Sequence, residues 1–191
     1  MGDPAVFLDR DGTINEEMGY INHLDRFIIL PKVVEAIKLL NTHNFRVIVT
    51  SNQAGVAMGY FPEGFVRELH NYLNDRLAKE GAYLDAIYYC PHHPRAKIAS
   101  YRMDCPFRKP RIGMILKAKE EFDLDLSKCY VVGDKFTDIE FAYNAGLKGI
   151  LVLTGYGKGE IKWVLPNHPL RPHFVAKDLY EAAKWIVNRS R

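Results

Sequence analysis

The sequence has few features of membrane-spanning, secreted or disulfide-bonded proteins. Its longest uninterrupted apolar run covers only five residues, 86–90, so no segment is long enough to cross a bilayer as a helix. Three cysteines in 191 residues are too few for the disulfide framework of a secreted protein. The first four residues, MGDP, begin neither a signal peptide nor a myristoylation motif. We therefore expect a cytoplasmic protein in a reducing compartment.

The chain also has little net charge. Its 26 Lys and Arg residues exceed its 23 Asp and Glu residues by only three, which is too small a surplus to indicate nucleic-acid binding. The surplus is local, because residues 92–111 alone carry a charge of +5 and the remainder sums to −2. This basic segment contains one acid, Asp104, and six basic residues: Arg95, Lys97, Arg102, Arg108, Lys109 and Arg111.

Short apolar runs alternate along the chain with segments of helical period. Strand candidates are residues 5–8, 46–50, 84–90, 130–132 and 149–153, and helical patterns follow them, for example after Pro31 and Pro62. This alternation predicts an α/β protein with a doubly wound parallel sheet, covered by helices on both faces. A length of 191 residues fits one domain covering 1–191. Residues 155–173, rich in Gly and Pro, are expected to form an irregular connection.

Polar residues follow several of the predicted strands. Asp9 and Asp11 follow the first, Ser51 follows the second, Asp134 follows the fourth, and Lys109 precedes a predicted helix. Because the carboxyl ends of parallel strands meet at one edge, these side chains should converge. Carboxylates suit Mg²⁺, and a lysine with a hydroxyl can stabilise a phosphoryl group in transfer. Asp and Gly at strand ends also serve as turn and cap residues, so each position taken singly has a purely structural alternative.

The four motifs together resemble the signature of haloacid dehalogenase-type (HAD-type) phosphotransferases. They are D-x-D-G-T, [ST]-N, Lys and G-D-x-x-x-D, and they span residues 9 to 138 in that order. The resemblance implies a Rossmann-like HAD fold, with Asp9 as nucleophile and Asp11 as general acid and base. It also implies that Ser51 and Lys109 steady the transferring phosphoryl group.

The same resemblance implies a Mg²⁺ cofactor. Its ligands would be Asp9, the backbone carbonyl of Asp11, and Asp134. Asp138 would support either Lys109 or the metal, although an acid in the first turn of a helix can also be purely structural.

The absence of large insertions indicates that the chain has no large cap domain. It resembles the capless branch that includes heptose-1,7-bisphosphate 7-phosphatases and histidinol-phosphate phosphatases. The runs closest to the heptose enzymes are FLDRDGTIN, MGYI, TSNQAGVAMG, YYCPHHP, RKP and VGDK. The implied activity is removal of the 7-phosphate of a heptose bisphosphate in nucleotide-activated heptose synthesis, for the lipopolysaccharide core or an S-layer glycan. The implied substrate contacts are Arg10, Glu17, Met18, Gly19, Tyr20, Asn52, Gln53, Ala54, Arg108 and Lys135.

A structural Zn²⁺ is implied for the loop 90–110. Cys90, His92 and Cys105 match three of the family's four ligand positions, but Phe107 stands at the fourth and cannot bind a metal. The loop could recruit another ligand or fold without zinc. Candidate replacements nearby are His93 and Asp104.

Several residues have simpler interpretations. We expect Cys129, Trp163 and Trp185 to pack in the protein interior. Surface or loop positions are expected for the scattered histidines His23, His43, His70, His168 and His173.

The expected partner is a small phosphosugar, and we expect the protein to be a monomer that binds neither nucleic acid nor membrane. The positive charge of the basic segment would then offset the negative charge of a doubly phosphorylated substrate. A histidinol-phosphate phosphatase, a non-catalytic phosphosugar-binding protein and a nucleic-acid end-processing enzyme are the competing hypotheses.

Overall fold

Six parallel strands form the centre of the protein, for which a computed structural model describes residues 2–190. They are β1 (Ala5–Leu8), β2 (Arg46–Asn52), β3 (Ala86–Cys90), β4 (Tyr130–Gly133), β5 (Lys148–Val152) and β6 (Phe174–Ala176). Their order is β3-β2-β1-β4-β5-β6, and all neighbouring strands run parallel. The chain therefore builds outwards from β1 in both directions, and the predicted doubly wound α/β sheet is confirmed.

Helices cover both faces of this sheet. They are α1 (Val33–Thr42), α2 (Ala54–Ala57), α3 (Glu63–Lys79), α4 (Gly113–Phe122), α5 (Phe136–Asn144), α6 (Gly157–Gly159) and α7 (Leu179–Arg189). Buried residues of α1, α3 and α7 pack on one face, and those of α4 and α5 pack on the other. No helix within residues 2–190 is long and apolar enough to cross a membrane.

The central strand β1 shows why both faces must be covered. Its four residues are fully buried, with Val6 and Leu8 in one apolar cluster and Ala5 and Phe7 in the other. Successive side chains of a strand point to opposite faces, so an all-apolar strand needs two helical layers. Full burial of a side chain such as that of Leu8 contributes about 1.5–3 kcal/mol.

The segment after β5 differs from the sequence-based expectation. Residues 157–167 do not form an irregular connection but a helical segment made of α6, a π-helix (Glu160–Val164) and a 3₁₀-helix (Leu165–Asn167). Strand β6 then extends the sheet by pairing with β5. Trp163 is 69% exposed, so its expected packing was wrong, whereas Trp185 stacks on Phe174 at 5.0 Å between ring centroids. Cys129 is buried as expected.

The functional motifs meet where the strands end. Asp9 directly follows β1, Ser51 and Asn52 are the last residues of β2, and Asp134 follows β4. Because β2, β1 and β4 are neighbours in the sheet, one edge brings together residues from three distant parts of the chain.

Candidate active site

A cavity of about 440 Å³ opens at the carboxyl ends of the central strands. Among the site residues expected from the sequence, those lining it are Asp9, Arg10, Asp11, Glu17, Gly19, Tyr20, Ser51, Asn52, Gln53, Ala54, Arg108, Lys109, Lys135 and Asp138. Met18 and Asp134 are not part of the lining. Lining residues that the sequence did not indicate are Ile21, Gly55, Phe61, Pro110, Thr137 and Tyr156. The structure thus brings nearly all of the expected phosphoryl and sugar contacts to one place.

A tight turn after β1 presents the two aspartates of the D-x-D motif. The Asp9 amide donates to the Val132 carbonyl of β4 at 2.9 Å, which fixes the start of the turn. Gly12 has a φ of +86°, and a Cβ added there would lie 2.1 Å from Asp134 Oδ2. Only glycine meets both the backbone and the space requirement, which explains the fourth residue of the motif D-x-D-G.

Lys109 is a buried cation between two carboxylates. Its Nζ donates to Asp9 Oδ1 at 2.7 Å, to Asp138 Oδ1 at 2.6 Å and to the Thr50 carbonyl at 2.8 Å. Its backbone is tied to Asn52, whose side chain bonds both the amide and the carbonyl of Lys109. Burial lowers the pKa of Lys109, but Asp138 and Asp9 outweigh it and raise the pKa overall, so the ammonium stays charged.

The carboxylates of Asp9, Asp134 and Asp138 form a buried cluster. Their oxygens lie within 4.8 Å of one another, which makes the three residues a candidate metal centre. Burial, followed by the repulsion of the other two carboxylates, raises the pKa of Asp134 to about 8. Burial is also the largest cause that raises the pKa of Asp9, to about 6, and it outweighs the opposing effect of Lys109. Full ionisation would place three negative charges beside one ammonium, so burial and mutual repulsion favour a proton on Asp134 at neutral pH.

The donor set of this cluster fits Mg²⁺. Asp134 Oδ2 accepts a hydrogen bond from the Tyr156 amide at 2.8 Å, but its buried Oδ1 has no partner among the described residues. An orphaned buried carboxylate oxygen beside two further carboxylates is the kind of site that a hard divalent cation satisfies. Asp138 belongs to the cluster, but its two oxygens already accept from Lys109 and from the Lys135 amide.

Asp11 lies apart from this cluster in a network of hydrogen bonds. Its carboxylate accepts from Arg10, from Asn15 Nδ2 at 3.0 Å and from Gln53 Nε2 at 2.9 Å. Burial alone would raise the pKa of Asp11, but the charge of Arg10 and these hydrogen bonds lower it below its usual value. Gln53 also bonds Ser51 Oγ at 2.8 Å, so it links Asp11 to the expected phosphate-binding hydroxyl.

Arg10, which lines the cavity, and His70, which lies behind it, form a pair that sequence reasoning missed. Arg10 is only 2% exposed, and its Nη1 lies 3.1 Å from Nε2 of His70. The expectation of a surface or loop position for His70 was wrong, because it lies on α3 and is 6% exposed. The sequence did contain an indication of this burial. His70 lies three residues before Leu73 and seven before Leu77, a spacing that places it on the buried side of the helix.

Charged and aromatic residues surround the cavity entrance. Glu17 Oε2 pairs with Lys135 Nζ at 3.0 Å, and Glu17 Oε1 accepts from the Gly19 amide at 2.7 Å. The Lys135 ammonium also lies 4.4 Å from the ring centroid of Tyr156. The ring of Tyr20 packs edge-on against another aromatic ring at a centroid distance of 4.6 Å. The residues at this entrance can bind both a hydroxylated and an anionic part of a ligand.

The basic segment reaches the cavity with only part of its charge. Arg108 and Lys109 line the cavity, but Lys109 is paired with carboxylates. Arg111 pairs with Asp104, and the Lys97 ammonium lies 5.7 Å from the centroid of the Tyr60 ring. The net charge of +5 counted along residues 92–111 therefore overstates the positive field at the cavity.

A second cluster of metal-binding residues lies at the start of the basic loop. Ligand atoms of Cys90, His92 and Cys105 lie within 4.8 Å of one another. Burial is the main cause that raises the pKa of the Cys90 thiol to about 12. The side chain of Phe107 packs against an apolar cluster below the sheet. Neither expected replacement belongs to this cluster; His93 Nδ1 accepts from the Arg95 amide, and Asp104 pairs with Arg111.

Comparisons with known proteins agree with this geometry. The family model described as HAD-hyrolase-like matches residues 106–182. The chain is 43% identical to D-glycero-D-manno-heptose-1,7-bisphosphate 7-phosphatase of Thermosynechococcus vestitus, over 96% of this chain and 95% of that protein. It is 37% identical to the D-glycero-beta-D-manno-heptose-1,7-bisphosphate 7-phosphatase of Escherichia coli K12, over 97% of this chain and 88% of that protein.

A solved structure agrees as well. The D,D-heptose 1,7-bisphosphate phosphatase of B. bronchiseptica, complexed with magnesium and phosphate, superposes with a TM-score of 0.85 at 30% identity. That match covers 98% of this chain and 99% of the other.

Proposed function

The chain belongs to the D-glycero-D-manno-heptose-1,7-bisphosphate 7-phosphatase family of HAD-like hydrolases, and on that premise we propose that it removes the 7-phosphate of a heptose 1,7-bisphosphate. The reaction class is hydrolysis of a phosphate monoester. The observation that carries the proposal is the placement of Asp9 at the cavity, with Oδ1 held by the ammonium of Lys109 at 2.7 Å.

Asp9 is the proposed nucleophile. One of its carboxylate oxygens forms a bond to phosphorus while the bond between phosphorus and the sugar oxygen breaks, which leaves an aspartyl-phosphate. Lys109 orients the carboxylate and keeps its positive charge beside the reacting group. Ser51 and Lys109 are proposed to hold the phosphoryl oxygens, and Mg²⁺ bound by Asp9, the Asp11 carbonyl and Asp134 would neutralise their negative charge.

Asp11 is the proposed acid and base. It donates its proton to the departing sugar oxygen, and it then takes a proton from the water that hydrolyses the aspartyl-phosphate. Its hydrogen bonds to Arg10, Asn15 and Gln53 favour the carboxylate, which is the form needed for the second step. The first step requires the protonated form of Asp11, and we propose that the negatively charged phosphoryl group favours this form when it binds next to Asp11.

Arg108 and Lys135 are proposed to recognise the second phosphate or the sugar hydroxyls. Both line the cavity, and the planar guanidinium of Arg108 suits two-point binding of a phosphate. Glu17, Gly19 and Tyr20 line the same entrance and are proposed to border the sugar. Arg10, by contrast, has its guanidinium bound to protein groups, so we propose that it serves the site through Asp11.

The test is a comparison of kcat/KM for three phosphate esters in the presence of Mg²⁺. The esters are heptose 1,7-bisphosphate in both anomers, histidinol phosphate, and a DNA end carrying a 3′-phosphate. We expect the heptose bisphosphate to be preferred by about tenfold or more, a difference of about 1.4 kcal/mol in transition-state binding. A preference for histidinol phosphate or DNA would contradict the proposed substrate.

A pair of variants tests the proposed chemistry separately from the substrate. Asp9→Asn should lower kcat by about a thousandfold or more, because the amide cannot attack phosphorus. Asp25→Asn is the matched control, since the side chain of Asp25 is 90% exposed and lies outside the cavity lining. Turnover by Asp9→Asn comparable to that of the control would show that the nucleophile is assigned to the wrong residue.

We also propose that Cys90, His92 and Cys105 bind Zn²⁺ as a three-ligand site completed by water. Two sulfur donors and one imidazole are ligands that Zn²⁺ prefers, and their clustering within 4.8 Å supports the proposal. Phe107 packs against apolar residues, so it leaves the fourth position without a protein ligand. Binding should therefore be weaker than at a closed four-ligand site.

Two substitutions at one position test this zinc site. Phe107→Cys should tighten zinc binding, measured by competition with a chromophoric chelator, while Phe107→Leu preserves apolar packing and adds no ligand. Metal analysis of the purified protein gives the zinc content directly. Absence of zinc from the wild type, together with equal zinc affinity of the two variants, would contradict the three-ligand site.

The cellular setting is proposed from the same family relation. We propose that residues 1–191 act as a single capless domain and as a cytoplasmic monomer, whose product feeds nucleotide-activated heptose synthesis for the bacterial cell surface. Measurement of mass in solution by light scattering tests the proposed monomer.

A further inference from the structure

The guanidinium of Arg10 is held on three sides by Asp11, Gln53 and His70. Its Nη2 donates to Asp11 Oδ1 at 2.9 Å, to Asp11 Oδ2 at 2.8 Å and to Gln53 Oε1 at 3.2 Å. Its Nε donates to Asp11 Oδ1 at 3.2 Å. The remaining nitrogen, Nη1, faces His70 Nε2 at 3.1 Å. His70 is thus the partner that fixes the side of the guanidinium turned away from Asp11.

The chemistry of Arg10 determines the state of His70. A guanidinium has only donors and remains charged, so the nitrogen facing it must be an acceptor. His70 is therefore the neutral tautomer with its proton on Nδ1. Burial of His70, aided by the charge of Arg10, lowers its pKa to about 3, which keeps the ring neutral at neutral pH. The ring also packs edge-on against Tyr89 at 5.3 Å between centroids, which restricts its rotation.

We propose that His70 is a positioning residue: its Nε2 anchors Arg10 so that Arg10 holds both carboxylate oxygens of Asp11 in the orientation needed for proton transfer. His70 is not part of the cavity lining, so its proposed effect on the reaction passes through Arg10. Without an acceptor at this position, Nη1 of a fully buried guanidinium loses its partner and the side chain must shift to find another. A shift of Arg10 carries Asp11 with it.

This inference rests on the proposed acid–base role of Asp11, and the test uses two leaving groups. An alkoxide leaves slowly unless it is protonated, whereas dinitrophenolate leaves without help from an acid. The value of kcat/KM reports the steps up to release of the leaving group. Misplacement of Asp11 should therefore affect the sugar phosphate and spare the aryl phosphate.

The central variant is His70→Leu, which keeps similar volume but offers no acceptor. We expect kcat/KM for the sugar bisphosphate to fall about tenfold to a hundredfold, as for a lost buried hydrogen bond to a charged group. For 2,4-dinitrophenyl phosphate it should stay within about threefold, because that ester needs no acid. His70→Gln, whose amide oxygen can accept from Arg10, should recover most of the loss.

Equal losses on both substrates, or failure of His70→Gln to recover activity, would reduce His70 to a packing residue and overturn the proposal. If His70→Leu does not fold, nitrogen NMR of the wild type still tests the proposal, because it reports which ring nitrogen of His70 carries the proton. It should show Nε2 unprotonated and Nδ1 protonated, and a protonated Nε2 would overturn the proposal.

Failure of the proposed function itself looks different. In that case the wild type does not hydrolyse the heptose bisphosphate. The wild type and the His70 variants are then compared on an alkyl phosphate that the wild type does hydrolyse. Asp11→Asn then shows how far kcat/KM falls when the proposed general acid is removed altogether.

Discussion

Replacing Lys109 by methionine should destabilise the protein in a pH-dependent way. The ammonium contacts Asp9 at 2.7 Å and Asp138 at 2.6 Å, and all three side chains are less than a tenth exposed. At an effective dielectric constant of about 20, each contact carries about 6 kcal/mol of Coulomb attraction, which is largely offset by the cost of burying the charges. Methionine keeps the length of the side chain but leaves the two carboxylates without their cation.

The expected loss is about 3–5 kcal/mol at pH 8, as for other buried ion pairs that lose one partner. For a protein of this length that corresponds to a fall in Tm of roughly 6–20 °C. Loss of Lys109 also removes the cation that lowers the pKa of Asp9, so the pKa of Asp9 rises further in the folded state. The folded variant then binds more protons than the unfolded chain, so its stability falls as pH rises and the deficit should shrink from pH 8 to pH 5.5.

Urea unfolding followed by circular dichroism at both pH values measures this deficit directly. Lys119→Met is the matched control, because Lys119 is exposed on α4 and makes no ion pair within residues 2–190. A loss below about 1 kcal/mol at pH 8, typical of a surface pair, would refute the reasoning. An equal loss at both pH values would refute the electrostatic cause and leave only altered packing.

Two further predictions concern the carboxylate cluster. Gly12→Ala should weaken Mg²⁺ binding in calorimetry, because the new Cβ would lie 2.1 Å from Asp134 Oδ2. It should also cost more stability than the control Gly146→Ala, since Gly146 has a positive φ as well but a Cβ there would have no atom within 4 Å. Equal effects of the two substitutions would contradict the crowding argument. Since burial and neighbouring carboxylates raise the pKa of Asp134 to about 8, Mg²⁺ must displace a proton below that pH. The affinity for Mg²⁺ should therefore rise from pH 6 to pH 8, and calorimetry in buffers of different ionisation enthalpy should detect the released proton. A binding heat at pH 6 that is the same in all buffers would contradict the release of a proton.

The sheet and the placement of the motifs were predictable from sequence for a physical reason. Buried parallel strands are apolar on both faces, so a run such as Ala5–Leu8 stands out, and the polar residue that ends it marks the ligand-binding edge. That rule alone brought Asp9, Ser51 and Asp134 to one edge of the sheet. Their spacing along the chain then made the family resemblance visible.

What could not be predicted depends on contacts between distant segments. The burial of His70 results from the packing of α3 over the turn after β1, and a lone histidine on a helix does not reveal its partner. Strand β6 has only three residues, which is too short for a periodic pattern to emerge. The helical turns at 157–167 contain two glycines and a proline, residues that normally indicate a loop.

The strand order has a consequence for synthesis of the protein. Strand β1 is made first, but one of its two neighbours is β4, which begins at Tyr130. Until that part of the chain leaves the ribosome, β1 is an edge strand with one row of backbone groups unpaired and an apolar face uncovered. A chain that stops before residue 130 lacks both Asp134 and the strand that closes this edge. We expect such a fragment to be inactive because it lacks Asp134, and to aggregate because the edge of β1 stays open.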